Sequence, residues 1–282
     1  MARSTTGADE LMQAEAELWC HNFGYLKSMA LQCAIKLGIP TAIHRRGGAA
    51  SLPELHAAVA VAATKRPCLS RIMAFLAASG IFRAEVPPEH GAAAVAEPCY
   101  HLTAASRLLV DDAAAARGGG GGVSQILTLC SSPFYFTASQ NLAGWLQMDD
   151  GGTAATTPAA AAAARTPFAM AHGGAGFYDV VGRDAAFGAC FDGAMGSDSR
   201  FVSEIVVREH GGVFAGVTSV VDVGGHDGTT ARAIAGAFPH VRCSVLDLPR
   251  VVDAMAADGT VEFVAGDMME FIPPADAVLL KV

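Results

Sequence analysis

The chain has no run of more than two successive lysines or arginines, no Cys-x-x-Cys pair and no unbroken apolar stretch long enough to cross a bilayer. Each absence removes a class of function. With 19 basic residues against 27 acidic ones the net charge is −8, which argues against a nucleic-acid partner, because phosphates are repelled over most of such a surface. The seven cysteines, at 20, 33, 68, 99, 130, 190 and 243, are scattered and odd in number. Without close pairs they indicate neither a disulfide framework nor a zinc site, so no metal is expected, and they read as buried thiols in a reducing compartment. Alanine-rich stretches are interrupted by His, Lys, Gln and Glu before reaching the roughly 20 residues of a membrane span, so no membrane partner is expected. Residues Met1 to Glu10 lack the apolar heart of a signal peptide and have few of the arginines expected in a transit peptide. The expected location is the cytoplasm.

What is present is a chain of 282 residues, 52% of them hydrophobic, enough to bury a sizeable core and to form more than one domain. Its organising stretch runs from Ser219 to Thr230. Val220, Val221 and Val223 form a short β-branched apolar run, the pattern of an inner strand buried on both faces of a parallel sheet. Gly224, Gly225 and Gly228 then supply a tight turn that lets backbone approach a ligand, and residues 229–238 have the composition of a following helix. Such a turn alone is a weak signal. Two carboxylates sharpen it. Asp222 stands just before the glycines, where a pyrophosphate is repelled and a ligand ammonium attracted. Asp247 ends a second strand, 241–246, where an acid accepts both hydroxyls of a ribose. An adenosine with a cationic tail fits both; the plain alternative is a helix cap at Asp222 and a turn at Asp247 before Pro249.

Four motifs in register then carry a resemblance: Val-Asp-Val-Gly-Gly (221–225), Leu-Asp-Leu-Pro-Arg-Val-Val (246–252), Val-Glu-Phe-Val-Ala-Gly-Asp-Met-Met (261–269) and Ala-Asp-Ala-Val-Leu-Leu-Lys (275–281). Together they resemble the plant S-adenosylmethionine-dependent O-methyltransferases that act on phenolics, of the caffeate, flavonoid and isoflavone types, and the related N-acetylserotonin enzymes. The resemblance implies an α/β chain: a Rossmann-like methyltransferase sheet preceded by a helical, winged-helix dimerisation domain. It implies S-adenosylmethionine as cofactor and a small phenolic acceptor, as in phenylpropanoid and flavonoid metabolism. By position, Gly224 resembles the glycine that contacts the cofactor, Asp247 the ribose acid, Asp267 and Met268 the pair beside the adenine, and Lys281 the lysine near the adenine edge. Ser199, in Met-Gly-Ser-Asp-Ser (195–199), follows the family's Met-Ser-x-x-Ser loosely as a partner of the methionine portion.

Two departures stand out. The family continues Gly-Gly-Gly-Thr-Gly, whereas this chain has Gly-Gly-His-Asp-Gly, with His226 and Asp227 where small side chains are usual. The family also reads Lys-Trp-x-x-His-Asp, its histidine acting as general base, whereas this chain reads Lys281-Val282. The base is therefore expected just beyond Val282, and the chain is expected to be a truncated and weakly active or inactive form. A catalytically silent dimer partner of intact relatives is the alternative.

Taken in order, residues 10–43 read as helix broken near Gly38, with Leu18, Trp19, Phe23, Leu26 and Leu31 on nearly all sides, so a second surface must cover them. A homodimer through these N-terminal helices is the expectation. Ser51-Leu-Pro-Glu54 is a capping-box start, Thr64 opens a second helix with Leu69, Ile72, Met73 and Leu76 on one stripe, and 81–85 with 99–102 make a hairpin. Helix, helix, hairpin spells a winged helix, a fold that often binds DNA, but Lys65, Arg66 and Arg71 are too few for that role. Residues 117–122 hold five glycines and mark a flexible loop, 123–147 resume an amphipathic pattern, and 149–165 are of low complexity. The expected division is a dimerisation domain at 1–115, a connecting region at 116–165 and the cofactor domain at 166–282. In the last, Phe177, Phe191 and Met195 are candidates to sandwich a planar acceptor. His172 resembles a histidine in a structural segment and is not assigned to catalysis.

Overall fold

A computed structural model of the chain describes residues 7–86, 97–111, 122–148, 166–256 and 259–281. They fall into two compact units, Met1–Gly176 and Phe177–Val282. The first opens with helices α1 (Ala8–Asn22), α2 (Gly24–Lys36) and α3 (Ile39–Arg45). Two breaks separate them, one more than the sequence pattern predicts. Gly38 adopts φ 69°, the left-handed end of a helix that glycine permits. Phe23 closes α1 by donating its N–H to the Trp19 carbonyl, and its ring stacks on Trp19 at 5.3 Å. Leu18, Trp19, Phe23, Tyr25 and Leu26 are all exposed in the single chain.

Strand β1 (Ala49–Ser51) leads into α4 (Leu52–Ala58), whose start is the predicted capping box: the Ser51 N–H donates to Glu54 Oε2 at 2.8 Å. Helix α5 (Arg66–Ala78) buries Leu69, Met73 and Leu76 and leaves Lys65, Arg66 and Arg71 at the surface. The hairpin of β2 (Phe82–Glu85) and β3 (Cys99–Leu102) joins β1 in an antiparallel sheet of order β1-β3-β2. Ile39, Ile43, Leu55, Met73, Phe82 and Tyr100 form the core of this unit. After α6 (Ala104–Arg107) the described chain continues with α7 (Ser124–Cys130), α8 (Pro133–Gln140), α9 (Leu142–Leu146) and α10 (Pro167–Ala171). Residues 123–147 thus form three short helices; Pro133 separates the first two, because it can start a helix but not continue one. His172 stacks on Phe134, packs tilted against Phe168, and its Nε2 lies 3.3 Å from the Phe134 carbonyl, a packed position. The glycine run, apart from Gly122, and the low-complexity segment lie outside the described residues.

The second unit begins with α11 (Phe177–Arg183) and the long α12 (Ala185–His210). Its sheet contains β4 (Ser219–Val223), β5 (Arg242–Asp247), β6 (Glu262–Ala265) and β7 (Ala277–Leu280), all parallel, in the order β6-β5-β4-β7. That is the predicted third-second-first-fourth order. β4 lies inside, with Val220, Val221, Asp222 and Val223 all buried. Helix α13 (Thr229–Ala237) presses Ala231 and Ile234 into a core shared with Phe214, Val220, Val241 and Val245. A last turn, α14 (Pro249–Val252), follows β5. β7 forms an edge with alternating burial, leaving Val278 and Leu280 exposed. It is held in register by Asp276, whose Oδ2 accepts from the Thr218 N–H at 2.8 Å, the Thr218 hydroxyl at 2.7 Å and the Ser219 N–H at 3.1 Å. No helix among the described residues is long and apolar enough to cross a membrane.

Candidate functional site

Sequence dictates where the crevice opens. In a parallel sheet the ligand site lies outside the carboxyl ends of the strands where the strand order reverses, and here that point is the turn after β4. Gly224 leaves the strand at φ 69°, with its N–H on the Leu246 carbonyl at 2.8 Å, and a Cβ placed on it meets no atom within 4 Å. The bend is open at this residue. Gly225 is its opposite: a Cβ there falls 2.7 Å from the Asp222 carboxyl and 3.0 Å from Val245. Gly225 therefore covers Asp222.

The covering has an electrostatic cost. Asp222 is 3% exposed, and burial pushes its carboxyl up to about 6, against the Ala231 N–H and the Lys281 ammonium, which pull it down. The nearby carboxylates of Asp247 and Asp227 add to the rise. Asp222 was read from sequence as attracting a ligand ammonium. Its carboxyl lies under the bend, where the missing side chain of Gly225 makes room for it.

Asp247 sits at the tip of β5, half-buried. Its Oδ2 accepts from the His226 N–H at 2.9 Å and its Oδ1 from the Leu248 N–H at 2.7 Å. One N–H on each oxygen fixes the carboxylate and leaves further lone pairs for a vicinal diol. Asp227, the second departure from the family's glycine pattern, accepts the Thr229 N–H at 3.0 Å and so opens α13, while Arg232 donates to its backbone carbonyl. His226 takes the left-handed backbone, φ 49°, and its Nε2 lies 3.4 Å from Asp192 Oδ1 on α12.

The other predicted residues spread around this bend. Lys281, just past β7, pairs with Asp198 of α12 at 2.6 Å, which ties the edge strand to that helix. Ser199, next to Asp198, is half-buried on α12. Asp267 follows β6 and uses Oδ1 to accept the Met269 N–H at 2.9 Å, a local turn, with Met268 exposed beside it. Phe177 and Phe191 meet edge-to-face at 5.2 Å, and Phe177 meets Phe187 likewise at 5.8 Å. They leave no slot between them, so these rings form one wall and not the two faces of a sandwich; Met195 lies farther along α12, half-buried. Arg250 of α14 stands over the ring of Tyr178, 5.5 Å from its centroid. Sequence reading missed Asp192, Asp198, Tyr178 and Arg250. The first two had a signal, acids flanking the candidate ring and thioether positions on one helix, whereas the Arg250 contact depends on how α11 approaches β5 and left none.

A parallel sheet with an open glycine bend, a buried acid beneath it and a fixed acid on the neighbouring strand defines a Rossmann-like methyltransferase fold. The chain belongs to the O-methyltransferase family: residues 155–282 match its O-methyltransferase domain and residues 19–112 its O-methyltransferase dimerisation domain. Among its relatives, trans-resveratrol di-O-methyltransferase of Vitis vinifera is 39% identical over 272 residues, covering 96% of this chain and 69% of that protein. Acetylserotonin O-methyltransferase 3 of Oryza sativa subsp. japonica is 39% identical over 277 residues, 98% of this chain and 70% of its own length. Two solved structures share the fold. Human N-acetylserotonin methyltransferase, in complex with SAM, superposes with a TM-score of 0.63 at 17% identity over 99% of this chain and 72% of its own. CalO1, a methyltransferase of calicheamicin biosynthesis in its SAH-bound form, gives 0.65 at 24% identity, over 99% of this chain and 71% of its own.

Proposed function

We propose that the second unit binds S-adenosylmethionine and transfers its methyl group to a hydroxyl of a small phenolic acceptor, and that the first unit, read as a winged helix, joins two copies through its N-terminal helices. The observation that carries this reading is the conjunction of Gly224, open to a ligand, with Asp247 fixed at the next strand tip. A ribose diol suits the free lone pairs of Asp247, and a cationic tail suits the negative charge of Asp222 beneath the bend. The names of the relatives, a resveratrol and an acetylserotonin enzyme, support an aromatic acceptor. We assign the chain to the cytoplasm on its unpaired cysteines.

The cofactor supplies an electrophilic methyl on a sulfonium. The chain's residues supply position: Gly224 lets the backbone come close, Asp247 fixes the register of the adenosyl group, and Lys281 braces β7 against α12 through Asp198. The wall of Phe177 and Phe191 gives a planar acceptor one apolar face. A phenol of pKa about 10 is mostly protonated at neutral pH, and a positioned base contributes on the order of 10²- to 10⁴-fold. The described histidines of this unit are His210, His226 and His240, and His240 precedes β5, at the strand starts away from the crevice. Turnover by these 282 residues is expected to rise with the acidity of the phenol, because acidic phenols are already ionised at neutral pH.

Radiolabelled S-adenosylmethionine, incubated with the 282-residue chain and phenols of graded acidity, tests the reading. Label in the acceptor, rising with phenol acidity, is the expected result; cofactor binding without label in any phenol overturns the transfer. That second outcome is the one a silent dimer partner gives, a reading favoured by the side chain at 226 in the glycine bend, and co-purification with a longer relative then identifies it.

A further inference from the structure

His226 is the non-glycine residue that the described chain holds at a positive φ, 49°, and it sits inside the bend on which the proposed cofactor rests. A left-handed backbone is unfavourable at a side-chain-bearing residue, and here its result is a placement: the imidazole reaches Asp192, 3.4 Å away. Asp192 stands between Phe191 and Met195 on α12, so the pair links the helix that carries part of the proposed acceptor wall to the proposed cofactor bend. In the reading proposed above, the methyl group crosses the gap between these two elements.

We propose that His226 is a specificity-determining residue of the donor site, which with Asp192 favours the sulfonium donor over its thioether product while the imidazole is neutral and loses that preference once it is protonated. The inference rests on the S-adenosylmethionine reading above. Charge decides it. Transfer forms an O–CH3 bond and breaks an S–CH3 bond; the phenol gives up one proton and the sulfonium becomes a neutral thioether, so product carries one positive charge fewer than donor. With a neutral imidazole, Asp192 keeps its full negative charge beside the gap and attracts the donor more than the product. With a protonated imidazole the pair sums to zero and the difference disappears.

The other charges around the bend are Asp222 below it, Asp227 within it, Asp247 on β5 and Lys281 after β7, which interact with one another at Asp222. Lys281 is itself paired with Asp198. The carboxylates of Asp227 and Asp247 are fixed by backbone N–H groups. Asp222 titrates near 6 and adds a smaller step of the same sign. One unit charge about 5 Å away, in surroundings close to water, alters affinity roughly four- to tenfold.

Isothermal titration calorimetry with S-adenosylmethionine and S-adenosylhomocysteine, on the 282-residue wild type and on His226→Asn and Asp192→Asn, tests this across the range of about pH 5.5 to 8 in which imidazole changes charge. Asparagine tolerates the left-handed backbone and keeps the N–H that binds Asp247, so the bend persists. The wild-type ratio of donor to product affinity is expected to rise roughly four- to tenfold with pH. In His226→Asn only the step near pH 6 from Asp222 remains, and Asp192→Asn lowers the ratio throughout. Identical ratios in wild type and His226→Asn overturn the inference and leave the cofactor reading intact. Binding by His226→Asn alone also overturns it, since the imidazole then blocks the site and does not discriminate. Failure of all three chains to bind either compound sinks the cofactor reading itself.

Discussion

Burial beneath Gly225 strips the Asp222 carboxylate of water, and the cost appears as a pKa raised from 3.8 to about 6. A raised acid binds its proton more tightly in the folded state, so its contribution to stability is complete below pH 4 and is lost as pH rises through 6. The rise corresponds to roughly 3 kcal/mol as an upper bound. Asp222→Asn keeps an acceptor for the Ala231 N–H and removes the charge. The variant is expected to melt higher than wild type at pH 8 and to converge with it near pH 4, while its affinity for a sulfonium cofactor falls. Thermal melts at the two pH values, together with a binding titration, check both halves; equal melting temperatures at pH 8 would show that the charge is not held at a cost.

At the scale of elements, β7 depends on a side chain outside its own ladder. Asp276 gathers the Thr218 N–H, the Thr218 hydroxyl and the Ser219 N–H, and returns its own N–H to the Ser219 hydroxyl at 2.9 Å. These bonds hold its carboxyl below the usual carboxylate range. Asp276→Ala is expected to speed amide exchange in β7 by roughly tenfold or more, the loss of about one charge-assisted hydrogen bond, while β5 stays protected. Hydrogen exchange read by mass spectrometry distinguishes the two strands. This staple was not legible in the sequence, because nothing in Ala275-Asp276-Ala277 says which loop lies opposite. The strands themselves were: the uniform Val220-Val221-Val223 run marked an inner strand, and the nucleotide-binding type of strand-turn-helix pattern implied the parallel order. Glycines and acids located the bend. What escaped were contacts set by the approach of α11 and α12, namely His226 on Asp192, Lys281 on Asp198 and the mutual packing of Phe177 and Phe191, since a helix's tilt over a sheet has no local signature.

For the whole molecule, the apolar surface of α1 and α2 calls for a partner, and residues 19–112 match a dimerisation domain. Trp19, at 53% exposed, and Phe23, at 46%, stack into one projecting apolar pair. The double variant Trp19→Asp, Phe23→Asp is expected to move the sedimentation coefficient from that of a dimer to that of a monomer, with cofactor binding unchanged in the second unit; a persistent dimer removes these helices from the interface. The same residues carry a practical corollary. Trp19 and Trp145 are the two tryptophans of the chain, and both belong to the unit that ends at Gly176. Indole emission thus arises from the first unit alone, and the sheet proposed to hold the cofactor can melt or fill with no tryptophan of its own to report it.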